Sequence, residues 1–532
     1  MPSTLMLVSV VILGSVLFNK ISGKIGIPML LAFIIMGMLF GTDGLLKIDF
    51  DNFQFAKQVC SVALISIIFY GGFGTRWSEA KKVAGKSLLL SSAGVLLTAF
   101  LTGFFCHLVL GFELLEGLLI GSVLSSTDAA SVFSILRSKK LNLKYGTASI
   151  LELESGSNDP WAYMLTIIIL SVMNGNNSSG FIAYTIFAQI FFGILFGVTI
   201  SVGAVFMLRY IKCETSGFDM LLVVAIALLS YAVPASVGGN GYLSAYIVGI
   251  VLGNVKIPNK KPLVNFFDGI TGFSQILIFF LLGLLAFPSQ MPKILIPSIL
   301  IMLFLTFIAR PLVVAALMKP FKSPLNQQAV IAWSGLRGAT SIVFAIMATV
   351  GDAYTKNDVF HIVFCIVLIS IAVQGSLLPI ISRKLSMIDN NENVMRTFND
   401  YSDETEIQFI RLNIREDSDW AGKKVRDLVL PHEIRIVMVI REKQKIIPVG
   451  KTDILPHDIL VLSAAGFYDD STFVLSELSI SQSHEWCGRA IADISMPKDT
   501  LIVMIKRNGK TLIPSGNIKI KLNDILVITS SI

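Results

Sequence analysis

Charge is scarce in this sequence. Asp, Glu, Lys and Arg make up 15% of its 532 residues while 54% are hydrophobic, and the mean hydropathy is +0.73. A soluble domain carries roughly 25% charged residues, so a soluble enzyme of this length is excluded. Cysteine is nearly absent. Cys60, Cys106, Cys213, Cys365 and Cys487 are scattered, four of them inside apolar stretches, without the paired spacing that a metal or redox centre needs. They read as small core residues. Catalytic motifs are missing too: His432 and His484 have no second His at zincin spacing, and no P-loop or nucleophile motif occurs in a fitting context, which leaves enzyme classes without a foothold. The opening MPSTLMLVSVVILGSVLFNK lacks a basic n-region and a clear cleavage site, so it reads as an uncleaved first span.

What is abundant is the apolar run long enough to cross a hydrocarbon core of about 30 Å. Such runs fall near 3–19, 27–44, 55–73, 85–110, 115–137, 148–173, 181–209, 218–236, 241–255, 265–288, 293–318, 327–350 and 357–383, about thirteen spans of a polytopic all-α membrane domain, 1–385. The connecting loops supply an independent check, because Lys and Arg accumulate on the cytoplasmic side. One set holds Lys20, Lys24, Arg76, Lys81, Lys82, Lys86, Arg137, Lys139, Lys140, Lys144, Arg209, Lys212, Lys256, Lys260, Lys261, Lys319 and Lys322; the other holds only Lys47, Lys57, Lys293 and Lys356. The sets alternate, which puts the N-terminus outside and the C-terminal region in the cytoplasm. The net charge of +7 is thus a topology signal and argues against a nucleic-acid partner.

After Arg383 the composition turns polar and acidic, and 386–404 reads as a linker. Beyond it, 405–465 and 474–532 repeat each other at a constant offset of 66 residues: Trp420 matches Trp486, Gly422 Gly488, Asp427 Asp493, Pro431 Pro497, Met438 Met504, Arg441 Arg507, Pro448 Pro514 and Gly450 Gly516, while Asp458 to Val461 and Asp524 to Val527 both read DILV. Short β-branched runs separated by Gly, Pro and Asn turns make each repeat a small β-rich α+β module.

Three membrane segments carry polar residues. ASILELESGSNDPWAYMLTIII sets Glu152, Glu154, Asn158 and Asp159 at membrane depth, where a carboxylate costs about 3 kcal/mol unless it faces a cavity or a partner. At helical spacing Ser155 shares a face with Asp159, and Glu154 with Asn158. Ser125, Ser126, Thr127 and Asp128 interrupt the fifth span; Gly335, Arg337, Gly338 and Thr340 interrupt the twelfth. Both look broken, as in transporters built from inverted repeats, whose broken helices offer free carbonyls and helix-end charges at mid-membrane. Arg337 needs a carboxylate; Glu154 is the first choice and Asp128 the second. A guanidinium stays charged, so its partner is neutralised permanently and Asp159 is left as the site where a proton and a dehydrated cation compete. The other class considered, a ligand-gated cation channel, needs a filter, and no TVGYG-like string is present.

The strings SSTDAAS, ESGSNDP and GLRGATS, in this order on these spans, resemble the NhaP-like branch of monovalent cation/proton antiporters. The resemblance covers the whole membrane part and implies the inverted-repeat fold with two broken crossing helices, a homodimer, and a multi-pass location in the bacterial inner membrane among its lipids. It implies that Asp159 binds the cation, with Ser155, Asn158 and the Thr127–Asp128 region assisting, and that Glu154 and Arg337 form a structural pair. By the same resemblance, Asn158 in place of a second Asp implies electroneutral one-for-one exchange. Tyr70 departs from the pattern, standing where many relatives carry an acidic residue. The repeats resemble the C-terminal half of the regulator-of-K⁺-conductance domain, which implies a regulatory role, K⁺ over Na⁺, and a nucleotide regulator such as cyclic di-AMP.

Overall fold

The computed structural model describes Ser9, Leu13, Gly14, then 29–389 apart from 140, 211–215, 258–259 and 352, and 407–531 apart from 415, 417, 419, 429, 431–433, 443, 466–472, 483, 495, 497–499, 508–509 and 513. The expected first span, most of the linker, Lys140, Cys213, Pro431, His432 and Pro497 lie outside the described residues. The chain divides into two units, Met1–Ser402 and Asp403–Ile532.

The first unit is helical. Its helices are α1 Met29–Phe40, α2 Phe53–Gly74, α3 Trp77–Ser91, α4 Ala93–Leu110, α5 Leu114–Val123, α6 Ala129–Ser138, α7 Thr147–Met173, α8 Ser179–Tyr210, α9 Ser216–Ser236, α10 Gly241–Asn254, α11 Lys260–Leu285, α12 Met291–Phe304, α13 Arg310–Met318, α14 Leu325–Trp333, α15 Ala339–Val350, α16 Val359–Ile369 and α17 Ser376–Lys384. Among the described residues seven helical runs are long and apolar enough to cross a membrane: Phe53–Gly74, Ala80–Leu110, Ser179–Tyr210, Gly217–Ser236, Lys260–Leu285, Pro288–Phe321 and Val359–Lys384. The 27-residue α7 is as long, but its polar residues cut its hydropathy. The expected breaks are real: α5 and α6 are separated by 124–128, and α14 and α15 by 334–338.

The helix packing falls into two sets, joined where α15 packs on α2. One joins α2 with α10 and α11, α1 with α11, and α8 and α9 with α10; the other joins α3 with α7, α4 with α5, α5 with α7, α12 and α15 with α16, and α13 with α14. Close crossings need small residues, since packing rather than hydrophobic drive holds helices together in lipid. The α1–α11 crossing is an example: a Cβ on Gly37 would lie 2.8 Å from the Gly283 Cα. A two-residue ribbon, β1 Asn142–Leu143 with β2 Ile388–Asp389, ties the loop after α6 to the exit from α17.

The second unit is two copies of one antiparallel sheet. Strands β3 Ile407–Asn413, β4 Arg435–Arg441, β5 Gln444–Ile446 and β6 Ile459–Ala465 pair in the order β3-β6-β4-β5; β7 Phe473–Ser479, β8 Thr500–Arg507, β9 Lys510–Leu512 and β10 Ile525–Ser531 pair in the order β7-β10-β8-β9. The helical part of each module is, among the described residues, a single 3-10 turn, Val425–Asp427 or Ile491–Asp493. The same staple recurs in both. Arg441 Nε and Nη2 donate to Asp458 at 2.8 and 2.7 Å, and Arg507 Nε and Nη2 to Asp524 at 2.8 and 2.6 Å. The carboxylates also accept the backbone N–H of Leu455 and Lys521, each at 2.8 Å. Each module buries its own apolar core, around Val439 and Leu460 in one and Ile505 and Leu526 in the other.

Candidate functional site

The two unwound stretches bond to each other, and that contact builds the site. A stretch without helical partners must satisfy its backbone elsewhere. Here the Asp128 N–H donates to the Leu336 carbonyl at 2.8 Å, and Arg337 Nη1 donates to the Ser126 carbonyl at 2.6 Å. Gly338 completes the fit, because a Cβ on it would sit 2.5 Å from the Asp128 Cβ and 2.6 Å from its Cγ. The charges match the helix ends they face. Asp128 caps the N-terminus of α6, accepting the Ser131 N–H at 3.2 Å on Oδ1 and the Ser131 hydroxyl at 2.5 Å on Oδ2. Arg337 lies against a free carbonyl just beyond the C-terminal end of α5. Negative charge at a helix N-terminus and positive charge at a C-terminus are each favourable.

Asp159, 6% exposed, projects from α7 onto this crossing. The Ser126 hydroxyl donates to its Oδ1, and the Thr340 hydroxyl to its Oδ2 at 3.2 Å. One donor thus comes from each broken span. Ser155, one turn earlier, donates to the Thr127 carbonyl at 2.6 Å, and Asn158 Nδ2 donates to the Thr127 hydroxyl at 2.7 Å. Asn158 Oδ1 is buried with no hydrogen-bond partner among the described residues. Thr127, Ser155, Asn158 and Asp159 are therefore neighbours, and together they offer carboxylate, carbonyl and hydroxyl oxygens, the donor set that a hard monovalent cation takes in place of its water. Asp128 is committed to its cap. Ser126 interrupts the fifth span in sequence, but only the fold turns its hydroxyl onto Asp159.

The expected Glu154–Arg337 pair is corrected. Glu154 forms its ion pair with Arg310, the first residue of α13, and the two side chains are 1% and 3% exposed. Arg337, 1% exposed, has Arg310 and Glu154 as charged neighbours, but its Nη1 donates to the Ser126 carbonyl; its Nε and Nη2 have no hydrogen-bond partner among the described residues. The reason is reach. Arg310 leaves a π turn, Leu305–Ala309, pointing inward at α7, whereas Arg337 belongs to the unwound crossing and is drawn to its free carbonyls. Arg310 had a sequence signal: it is a lone arginine inside the apolar run MLFLTFIARPLVV, and such a residue is rarely idle. Tyr70 points elsewhere, donating to Asp268 Oδ1 at 3.3 Å and so linking α2 to α11.

A carboxylate held where two broken helices cross, inside a polytopic bundle, defines a class: secondary transporters of small cations. The chain belongs to the sodium/hydrogen exchanger family. Residues 7–384 match the family described as "Sodium/hydrogen exchanger, transmembrane", and 409–465 and 475–532 each match the TrkA-C domain. The chain is 33% identical over 491 residues to "K(+)/H(+) antiporter NhaP" of Alkalimonas amylolytica, covering 90% of this chain and 84% of that protein. It is 34% identical over 458 residues to "K(+)/H(+) antiporter NhaP2" of Shewanella baltica, covering 84% and 78%. Its fold is that of the sodium proton antiporter MjNhaP1 from Methanocaldococcus jannaschii, with a TM-score of 0.62 at 24% identity over 72% of this chain and 99% of that one.

Proposed function

We propose that this monovalent cation/proton antiporter exchanges K⁺ for H⁺, one for one, at Asp159. The observation that carries the reading is the Asp159 carboxylate, buried at the crossing with a single hydroxyl donor on each oxygen. The charge balance supports the stoichiometry. At the crossing Glu154 is paired with Arg310 and Asp128 is engaged by the start of α6, while Asp159 is held by two hydroxyls. An Asp159 carboxylate held by hydroxyls keeps its negative charge, and one proton or one K⁺ neutralises it. A buried net charge is costly to move through a bilayer, so the loaded carboxylate crosses and the bare one does not. That asymmetry is what couples the two fluxes. The names of the relatives favour K⁺, with Na⁺ the second cation to test.

The Lys and Arg distribution supports an N-terminus outside and TrkA-C-like modules in the cytoplasm, and the tandem modules support regulation of a homodimer by a small ligand, a cyclic dinucleotide such as cyclic di-AMP being the first to try. Deleting 403–532 should alter the pH or ligand dependence of exchange without abolishing it.

The test is proton flux in proteoliposomes with a pH dye, adding K⁺, Na⁺ or Li⁺ with the voltage clamped at zero and then at a set value. K⁺-driven proton movement that ignores voltage supports the reading. Cation current without proton movement defines a channel and overturns it.

A further inference from the structure

Two helical spans beside the site change pitch. Leu305–Ala309, between α12 and α13, and Ser370–Gly375, between α16 and α17, are π turns inside otherwise α-helical runs. Such turns are rare and recur at functional sites, because the extra residue re-aims the side chains around it. Here they bring Thr306, Ser370 and Gln374 together, and all three are buried. The bonds run in one direction: the Arg337 N–H donates to Ser370 Oγ at 3.1 Å, the Ser370 hydroxyl donates to Gln374 Oε1 at 2.6 Å, and Gln374 Nε2 donates to Thr306 Oγ1 at 3.0 Å. Trp333, last residue of α14, donates its indole N–H to the Gln374 carbonyl at 3.1 Å.

We propose that Ser370 and Gln374 are positioning residues for the cation site. The Arg337 N–H lies in the unwound stretch, outside any helical ladder, and the acceptor it finds is a side chain from a different span. Moving that N–H moves the Arg337 guanidinium on the Ser126 carbonyl and also the first turn of α15, where Thr340, three residues on, holds Asp159. Both hydroxyl donors to Asp159 therefore depend on where Ser370 sits, and Gln374 sets Ser370. The path closes on the ion-binding helix. From Thr306 it passes one turn along to Arg310, then to Glu154, five residues before Asp159 on α7. Asp159 is thus held at one side of a polar ring that runs through α15, both π turns and α13 back to α7.

The inference rests on Asp159 being the exchange site, and the experiment separates the two. Full-length wild type, Ser370→Ala, Ser370→Thr and Gln374→Leu are reconstituted in parallel, and K⁺-driven proton flux is titrated against K⁺ and pH, with detergent melting temperature as a folding control. Loss of a buried hydrogen bond that shapes the site should raise half-saturating K⁺ about fivefold to tenfold and displace the pH profile in Ser370→Ala and Gln374→Leu. Ser370→Thr, which keeps the hydroxyl, should stay within about twofold of wild type. Superimposable curves, or a lowered maximal rate with unchanged half-saturation and pH profile, would overturn the positioning role. If Ser370→Ala yields no folded protein, Gln374→Leu carries the test by the same criteria. No exchange by wild type would instead remove the function on which the inference stands.

Discussion

Arg310 and Glu154 meet as a buried ion pair although 156 residues separate them in sequence. Removing one member strands the other in a low-dielectric core, which costs about 3–5 kcal/mol, whereas replacing both with neutral groups of similar size is far milder. Glu154→Gln should therefore lower the melting temperature in detergent sharply, and Glu154→Gln with Arg310→Met should recover most of the loss. Glu154→Gln with Arg337→Gln should give no such recovery. If the Arg337 combination rescues and the Arg310 combination does not, the pairing is wrong.

The crossing has no spare volume at Gly338. Ala there pushes a methyl into the Asp128 side chain, and overpacking of this kind costs about 1–3 kcal/mol. Ala at Gly71, which has nothing within 4 Å of its Cβ position, is the control. Yield of monodisperse protein and melting temperature should fall for Gly338→Ala and hold for Gly71→Ala; equal behaviour of the two would count against the crossing geometry.

Asp159→Asn keeps the shape of the carboxylate and its hydroxyl neighbours but has no exchangeable charge. Cation-driven proton flux should drop to the liposome background while the folded protein melts near wild type. Retained coupling in Asp159→Asn proteoliposomes would move the exchange site elsewhere.

The paired staples of the second unit carry a pH signature. Burial pushes the Asp458 carboxyl up, but the Arg441 hydrogen bonds, the Leu455 N–H and the Arg441 charge together hold it below its usual range. At Asp524 the Arg507 hydrogen bonds dominate over burial and, with the Lys521 N–H and the Arg507 and Lys521 charges, lower it as well. A carboxyl lowered by folding stabilises above its unfolded value of about 3.9, and that contribution disappears as pH falls through the folded value. In the full-length protein, amide exchange of β6 and β10, corrected for intrinsic rates, should be flat from about pH 8 to about pH 5 and rise below about pH 4. Asp458→Asn with Asp524→Asn should exchange faster at neutral pH and lose that dependence. Flat protection to the acid limit would remove the staples from the stability of the sheets.

The sequence was legible wherever the physics is local. Apolar runs and the polar breaks at Ser125–Asp128 and Gly335–Thr340 follow from a segment's own transfer free energy, and they located the described helices, both breaks and a buried Asp159. The offset repeat likewise announced two copies of one module, because equivalent strands need equivalent patterns of apolar residues and turns. That Ser155 shares a helix face with Asp159 was legible from spacing, and the Thr127 region entered through the family resemblance, but the donors to Asp159 were not legible: Ser126 and Thr340 come from separate spans.

What the tertiary structure alone decided is which charge meets which. Arg310, Arg337, Glu154 and Asp159 are all buried, and from sequence Arg337 was the natural partner for Glu154. The fold assigned Arg310 instead, because a π turn rotates it toward α7 while the unwound crossing holds Arg337 on the Ser126 carbonyl. Spacing determines the face of a helix that a residue occupies; a long-range ion pair depends on how separate helices are rotated and packed against one another, and no stretch of sequence taken by itself encodes that rotation.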